Sequence, residues 1–87
     1  MKHHLKIDRP FADAVVDGRK TFEVRRNDRG FNAGDLVEFQ CVDGGVETKH
    51  KINARRYKIA YVLSGHGLRE AFVVFGIKDI TNERASA

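Results

Sequence analysis

The spacing of apolar residues changes twice along the chain and divides it into elements. Residues 3–7 alternate with a period of two, which predicts a short first strand with Leu5 and Ile7 on one face. Residues 9–17 carry apolar side chains at helical spacing and are predicted to form the one helix. From residue 20 onward the period returns to two, so the rest of the chain is predicted to consist of strands and turns.

The predicted helix has a start signal, an apolar side and a stop signal. Asp8 precedes it and is expected to cap the first turn, because its carboxylate accepts from the free N–H groups there. Phe11, Ala14 and Val15 lie at positions i, i+3 and i+4, and this stripe is expected to face the core. Gly18 follows as a left-handed stop.

Four strands are expected after the helix, at residues 20–26, 36–42, 49–63 and 71–78. The Gly44-Gly45 pair predicts a tight hairpin after the second of these. In the third, the apolar parity switches near Arg55 and Arg56, and a bulge or break is expected there. The fourth is apolar on both faces and is therefore expected to lie centrally in the sheet.

One short helix cannot cover both faces of five strands, so the sheet is expected to curl on itself. The predicted fold is α+β and mainly β, a small mixed β-barrel of about five strands with the helix near the N-terminus closing one end. An OB-like Greek-key barrel is the alternative. The length of 87 residues allows a single domain, placed at residues 1–80, with a frayed polar tail at residues 81–87.

The composition bears on disulfides, metal binding, membrane insertion and cellular location. Cys41 is the single cysteine, which excludes an intramolecular disulfide, and the four histidines lack metal-ligand spacing. We therefore expect no metal and no cofactor. The longest apolar run, residues 71–76, is far shorter than the ~20 residues of a membrane span. Residues 1–6 show no apolar signal region, and a cytoplasmic location is expected.

The net charge of +4 is modest, but the cations are concentrated. Ten of the sixteen lie in residues 19–29 and 49–58. If these two segments are neighbours, they form one basic face beside Tyr57 and Tyr61. Such a face could neutralise phosphates and stack an unpaired base. The alternative is that the lysines protect exposed strand edges and that the tyrosines belong to the core.

The segment after Gly18 contains the candidate chemistry. Glu23 and Arg25 lie two residues apart on one face of a predicted strand, close enough to pair or to flank a polar ligand. Lys20 comes just before regular strand pairing begins. The turn from the helix can direct its side chain toward the same cleft that Glu23 and Arg25 would line. The alternative is a solvated strand face with a weak surface ion pair.

Gly18, Lys20, Glu23 and Arg25 match the G-x-K-x-x-E-x-R pattern of ASCH domains, relatives of the RNA-binding PUA domains. Over residues 3–77 the chain resembles a small bacterial and phage-borne ASCH/PUA-like family of unknown function. The resemblance implies a PUA-like barrel and a basic cleft beside the helix for RNA or a nucleotide-like ligand. The candidate binding residues are Lys20, Glu23, Arg25, Arg26, Arg29, Arg55, Arg56 and Tyr57.

Two other functions stay open. Some small bacterial ASCH proteins are amidohydrolases that remove an acyl group from modified cytidine, and their Gly-Arg-Lys-Thr resembles residues 18–21. However, Glu23 stands where those enzymes place a nucleophilic threonine, and no later helix carries their acidic partner. If the chain is an enzyme, the candidate catalytic residues are Lys20, Glu23 and Thr21. The third possibility is a protein-interaction module encoded by a mobile element.

Overall fold

The computed structural model describes residues 1–83, and residues 84–87 of the predicted tail lie outside this range. The strands and the helix are β1 (Lys2–Asp8), α1 (Arg9–Val16), β2 (Phe22–Arg26), β3 (Leu36–Asp43), β4 (Val46–Glu47), β5 (Tyr57–Ser64) and β6 (Phe72–Asp79). A 3-10 turn at Lys51–Ala54 precedes β5. The predicted α+β, mainly β class is confirmed.

The strands form one mixed sheet in the order β1-β3-β5-β6-β2, with the short β4 beside β3. Strands β1 and β3 are parallel, and the other pairs are antiparallel. As predicted, β6 is central, and the hairpin at Gly44 and Gly45 joins β3 to β4 with positive φ at both glycines.

The predicted barrel is not closed, because no backbone ladder joins the edge strands β1 and β2 in the part of the chain that is described. Two guanidinium groups lie in the gap instead. Arg25 Nη2 donates to the Lys6 carbonyl at 2.6 Å, and Arg29 Nη1 donates to the His4 carbonyl at 3.2 Å. Side chains therefore satisfy carbonyl groups on the free edge of β1 where a neighbouring strand would do so in a closed barrel.

The helix packs on β1, β3 and the 3-10 turn, but only part of the predicted apolar stripe faces the core. Val15 is buried as predicted, and Ala12 is buried beside it, whereas Phe11 is 53% exposed. The prediction of Phe11 as a core residue is wrong, because the helix is rotated so that this ring lies beside the gap between β1 and β2. Asp8 occupies the N-cap position, yet its side chain makes no capping hydrogen bond.

The break predicted near Arg55 and Arg56 corresponds to two features, a 3-10 turn before these residues and a bulge after them. The 3-10 turn ends at Ala54, just before these residues, and its start is capped by His50 Nδ1, which accepts from the Ile52 N–H at 3.0 Å. The bulge itself lies between Ile59 and Tyr61, further along than predicted. It reverses the side-chain parity, so that Ile59 is buried while Tyr61 is 68% exposed.

The core lies between α1 and the inner face of the curved sheet. The largest fully buried side chains are Val37, Cys41, Ile52, Ile59 and Phe75. The connection between β2 and β3 adds Phe31, whose ring centre lies 4.7 Å from that of His3 and 4.8 Å from that of Phe75. This connection thus fills part of the opening that the unpaired edges leave.

Candidate functional site

Strand β2 has an inverted distribution of polarity. Glu23 is only 4% exposed, whereas its apolar neighbours Phe22 and Val24 are 43% and 49% exposed. Glu23 pairs in register with Phe75, which is fully buried. The alternation predicted for this strand is therefore present, but the carboxylate points inward. The alternative of a solvated strand face is wrong for Glu23.

The buried carboxylate of Glu23 has a cation on each side. Lys20 Nζ contacts Oε1, and Arg25 Nε donates to Oε2 at 2.9 Å. The side chains of Lys20 and Arg25 are 17% and 26% exposed, against 5% for Glu23. The three groups carry a net charge of +1.

The turn between α1 and β2 places Lys20 in this group. Gly18 has a φ of 86°, a left-handed conformation that reverses the chain after the helix. The Lys20 N–H then donates to the Ala14 carbonyl at 3.0 Å, which ties the start of the strand to the helix end. Lys20 Nζ also donates to the Phe22 carbonyl at 2.8 Å. These bonds direct the ammonium group over the edge of β2.

The three charged groups lie in a cavity of about 700 Å³ between the edges of β1 and β2, beside α1; we call it the β1–β2 cleft. Its apolar lining consists of Ile7, Phe11, Ala14, Phe22, Val24 and Val42. Its charged lining consists of Lys6, Asp8, Arg19, Lys20, Glu23 and Arg25, with a net charge of +2. A concave, largely apolar site of this size with a few converging charges is typical of small-ligand pockets.

Two half-exposed aromatic rings belong to the lining of the β1–β2 cleft. Lys20 Nζ lies 5.6 Å from the centre of the Phe11 ring and 5.3 Å from that of Phe22. Both distances are within the range of cation–π attraction. Sequence reasoning missed both rings, because it assigned Phe11 to the core and did not single out Phe22 within the strand predicted at residues 20–26. The G-x-K-x-x-E-x-R match was the signal that could have drawn attention to Phe22, which lies inside it.

Of the other candidates on the first basic segment, none lines the cleft. The Arg26 guanidinium carbon lies 5.2 Å from the Phe72 ring centre. Arg29 contacts the His4 carbonyl, as described above. Thr21 is exposed, and its carbonyl accepts from the Ile77 N–H at 2.9 Å. These three residues therefore do not belong to the lining of the β1–β2 cleft, although Arg29 lies on the same edge of β1 as Arg25.

The candidates on the second basic segment lie at a different place in the sheet. Arg55 pairs with Asp79 at 2.8 Å, and the Arg56 N–H donates to Thr81 Oγ1 at 3.0 Å. Tyr57 is 3% exposed, and burial raises the pKa of its phenol. It is therefore a core residue and is not available for stacking. β6 separates β5 from β2, so the two basic segments are not neighbours in the sheet, which was the condition for the single basic face expected from the sequence.

A buried pair that joins β1 to the residue preceding β3 was also missed. His3 Nε2 and Asp35 Oδ2 are 2.8 Å apart, and both residues are buried. The hydrogen bond with His3, supported by the Asn32 N–H, holds the pKa of the Asp35 carboxyl below its usual range. The signal was the shared parity of His3 with Leu5 and Ile7 on the first strand. This pair does not line the β1–β2 cleft.

Within residues 1–83, no three His, Cys, Asp or Glu side chains come together as a metal site would require. Over the same residues, no helix has the length and apolar character needed to cross a membrane.

Comparison with known proteins assigns a family. Residues 2–77 match the family model described as a domain of unknown function, DUF3850. The chain belongs to this family. The DUF3850 chain is 34% identical over 53 residues to an uncharacterised 12.9 kDa protein in the GpA 3′ region of Escherichia phage P2. That match covers 61% of this chain and 49% of the phage protein, so it spans about half of the relative's length.

A solved structure has a similar architecture. The crystal structure of hypothetical protein PH0355 superposes with a TM-score of 0.61, covering 92% of the DUF3850 chain and all of the other chain. With 15% sequence identity, this likeness shows a shared fold alone. The phage relative agrees with the phage-related character expected from the sequence.

Proposed function

We propose that this DUF3850 domain is an ASCH/PUA-like module that binds a nucleotide unit of single-stranded RNA in the β1–β2 cleft. The observation that carries the proposal is the buried Glu23 held between Lys20 and Arg25 inside an open, aromatic-lined cavity. The match of these three residues to the G-x-K-x-x-E-x-R pattern supports the same assignment.

The charged group at the cleft is hard to explain as a stabilising device. Withdrawing a carboxylate and two cations from water is costly, and apolar residues of similar volume often serve stability as well or better. Here the group lies among apolar side chains and still borders an open cavity. A ligand with both polar and flat apolar parts could contact the charged groups and the apolar side chains of the cleft at the same time.

Each part of a nucleotide has a counterpart in the lining. The faces of Phe11 and Phe22 can stack a base. Lys20 and Arg25 can attract a phosphate, since both are partly exposed. A carboxylate has about four acceptor positions, and each Glu23 oxygen already accepts one contact. The remaining positions can accept from the exocyclic amino group of a base such as cytosine.

The test is binding of a fluorescently labelled cytidine decamer, followed by anisotropy at several salt concentrations. Removing Lys20 and Arg25 alone would leave Glu23 buried without a partner, so the informative variant is Lys20→Met/Glu23→Leu/Arg25→Met, which replaces the group with apolar side chains. We expect this variant to fold and to bind at least about tenfold more weakly, through lost phosphate and base contacts. Lys49→Met removes a cation outside the cleft and is the matched control.

Two results would contradict the proposal. One is an affinity that does not fall as the salt concentration rises, because phosphate contacts release counterions on binding. The other is a triple variant that binds the decamer as tightly as the Lys49→Met control does.

One contact also favours hydrolysis of an acylated cytidine as a second candidate. Lys20 and Glu23 touch within the cleft and could exchange a proton with a bound substrate. The described residues that line the cleft contribute no hydroxyl or thiol, so this route would need water activated by Glu23 rather than a covalent intermediate. Release of cytidine from its N-acyl derivative by the wild-type chain, and not by Glu23→Gln, would support it. Equal release by both proteins would exclude it.

A further inference from the structure

We propose that the RNA surface continues from the β1–β2 cleft across the outer face of strands β2, β6 and β5. There a second base of the same strand stacks between Phe22 and Tyr61, over Gly76. This inference rests on the proposed function and adds a second site to it. We call this three-stranded surface the outer face; it is the side of the sheet opposite the core.

The strand register places apolar side chains in two rows on the outer face. In the first row Phe22 pairs with Gly76, which pairs with Tyr61. In the second row the partners are Val24, Val74 and Leu63. The exposed fractions of Phe22, Val24, Tyr61 and Leu63 are 43%, 49%, 68% and 36%. Contiguous exposed apolar side chains on a small domain mark a surface for a partner.

Gly76 makes the first row a recess. It separates two aromatic residues whose strands lie about 10 Å apart, two strand spacings. The φ angle does not require glycine there, because Gly76 is not among the residues with positive φ, although it lies opposite the bulge in β5. Packing does not require it either, since an added Cβ would meet only the Thr21 carbonyl oxygen, at 3.9 Å. Glycine in a central strand costs stability, and here it leaves an open floor between two rings.

The charges around this recess favour a polyanion over a protein partner. The charged side chains that the described strands β2, β6 and β5 place on the outer face are all cationic: Arg26, Lys58 and Lys78. Arg26 lies against the Phe72 ring at one end of the face. Lys58 and Lys78 pair in register at the other end, where Glu83 lies 3.5 Å from Lys78. An apolar centre between cationic ends is the arrangement that single-strand binding surfaces use.

Phe22 connects the outer face to the β1–β2 cleft. It belongs to the lining of the cleft and to the first row of the outer face. Because β2 is an edge strand, a single strand of RNA can pass around it without crossing the sheet. One nucleotide then occupies the cleft, and a neighbouring base reaches the recess over Gly76.

The experiment compares two probes, cytidine 5′-monophosphate followed by NMR titration and the labelled cytidine decamer followed by anisotropy. Gly76→Val fills the recess with a strand-favouring residue, and Tyr61→Ala removes one ring. We expect each to weaken decamer binding about tenfold, the loss of one stacked base, and to leave the mononucleotide affinity unchanged. Tyr61→Phe keeps the ring and should bind as wild type does. Val46→Ala, an exposed apolar residue on β4, is the control for lost surface area.

The outcomes separate the two proposals. If the cleft triple variant loses decamer binding while Gly76→Val and Tyr61→Ala bind normally, the outer face is not part of the site and the proposed function stands. If wild-type chain binds neither probe, both proposals are wrong. If sedimentation shows that Tyr61→Ala dissociates a dimer of this chain, the face is an interface between copies and the inference is overturned.

Discussion

Strands β1 and β2 are the two edges of the same sheet, yet they distribute polarity in opposite ways. On β1, Leu5 and Ile7 face the core and the lysines face solvent, as the burial pattern shows. On β2, the inward position is Glu23 and the outward positions are Phe22 and Val24. Both strands alternate with the same period, so the period alone does not reveal which side is buried.

The difference shows where the distribution of polar and apolar side chains departs from what stability alone favours. Strand β1 follows the rule that burial of apolar surface drives folding. Strand β2 places a carboxylate inside and an aromatic ring outside, and it forms one wall of the β1–β2 cleft. Local choices that conflict with the fold are expected at functional sites. The comparison therefore predicts different consequences for changes on the two strands.

The largest effect is expected from removing both cations of β2's charged group. The variant Lys20→Met/Arg25→Met leaves Glu23 buried without a cation and should lower the free energy of unfolding by about 3–5 kcal/mol. Urea denaturation measures this change. Adding Glu23→Leu should restore most of the lost stability, because no unpaired charge then remains. A double variant as stable as wild type would show that Glu23 is not held by these cations.

A smaller effect is expected from shortening an inward side chain of β1. Leu5 is 3% exposed, so Leu5→Ala should cost about 2–4 kcal/mol through lost apolar contact and the cavity left behind. The equivalent truncation on β2, Val24→Ala, removes a half-exposed side chain and should cost only about 0.5 kcal/mol. Equal losses in thermal or urea unfolding would contradict the inverted polarity of β2.

The smallest effect is expected from changing Asp35, the hydrogen-bond partner of His3, which is the one polar residue that β1 buries. The hydrogen bond from His3 lowers the pKa of Asp35 in the folded chain, so its stabilisation is present above the ordinary carboxyl pKa of about 4 and is lost as the pH falls below it. Asp35→Asn should cost about 1–2 kcal/mol at neutral pH. In urea unfolding, the gap between wild type and variant should narrow below about pH 4.

Asp28→Asn makes the same change of charge in an exposed turn and is the control for the Asp35 variant. A gap between wild type and Asp35→Asn that stays constant down to pH 3 would show that His3 does not act on this carboxyl.

Much of the fold could be predicted because its signals are local. The helix between Asp8 and Gly18, the hairpin at Gly44-Gly45 and the apolar β6 each depend on a few adjacent residues. The position of the bulge could not be predicted well. The change in the alternation of apolar residues near Arg55 shows that the strand must contain a bulge or break. Pairing with β6 decides at which residue the bulge forms.

The residues of the candidate site also divide into those that local sequence could predict and those that it could not. Lys20, Glu23 and Arg25 were recognisable because they lie within six residues, where strand geometry limits their separation. The distant candidates Arg55, Arg56 and Tyr57 depended on which strands are neighbours. Sequence order does not settle that, and β6 separates the two segments.

The amino-acid sequence by itself determined the period of each element, the turns between the elements and the cluster of charged residues after the helix. Only the tertiary structure decided which side of β2 is buried, that β1 and β2 leave an opening, and that Phe11 and Phe22 border it. The physical reason is that periodicity is a property of neighbouring residues. Burial depends on what the rest of the chain places against them.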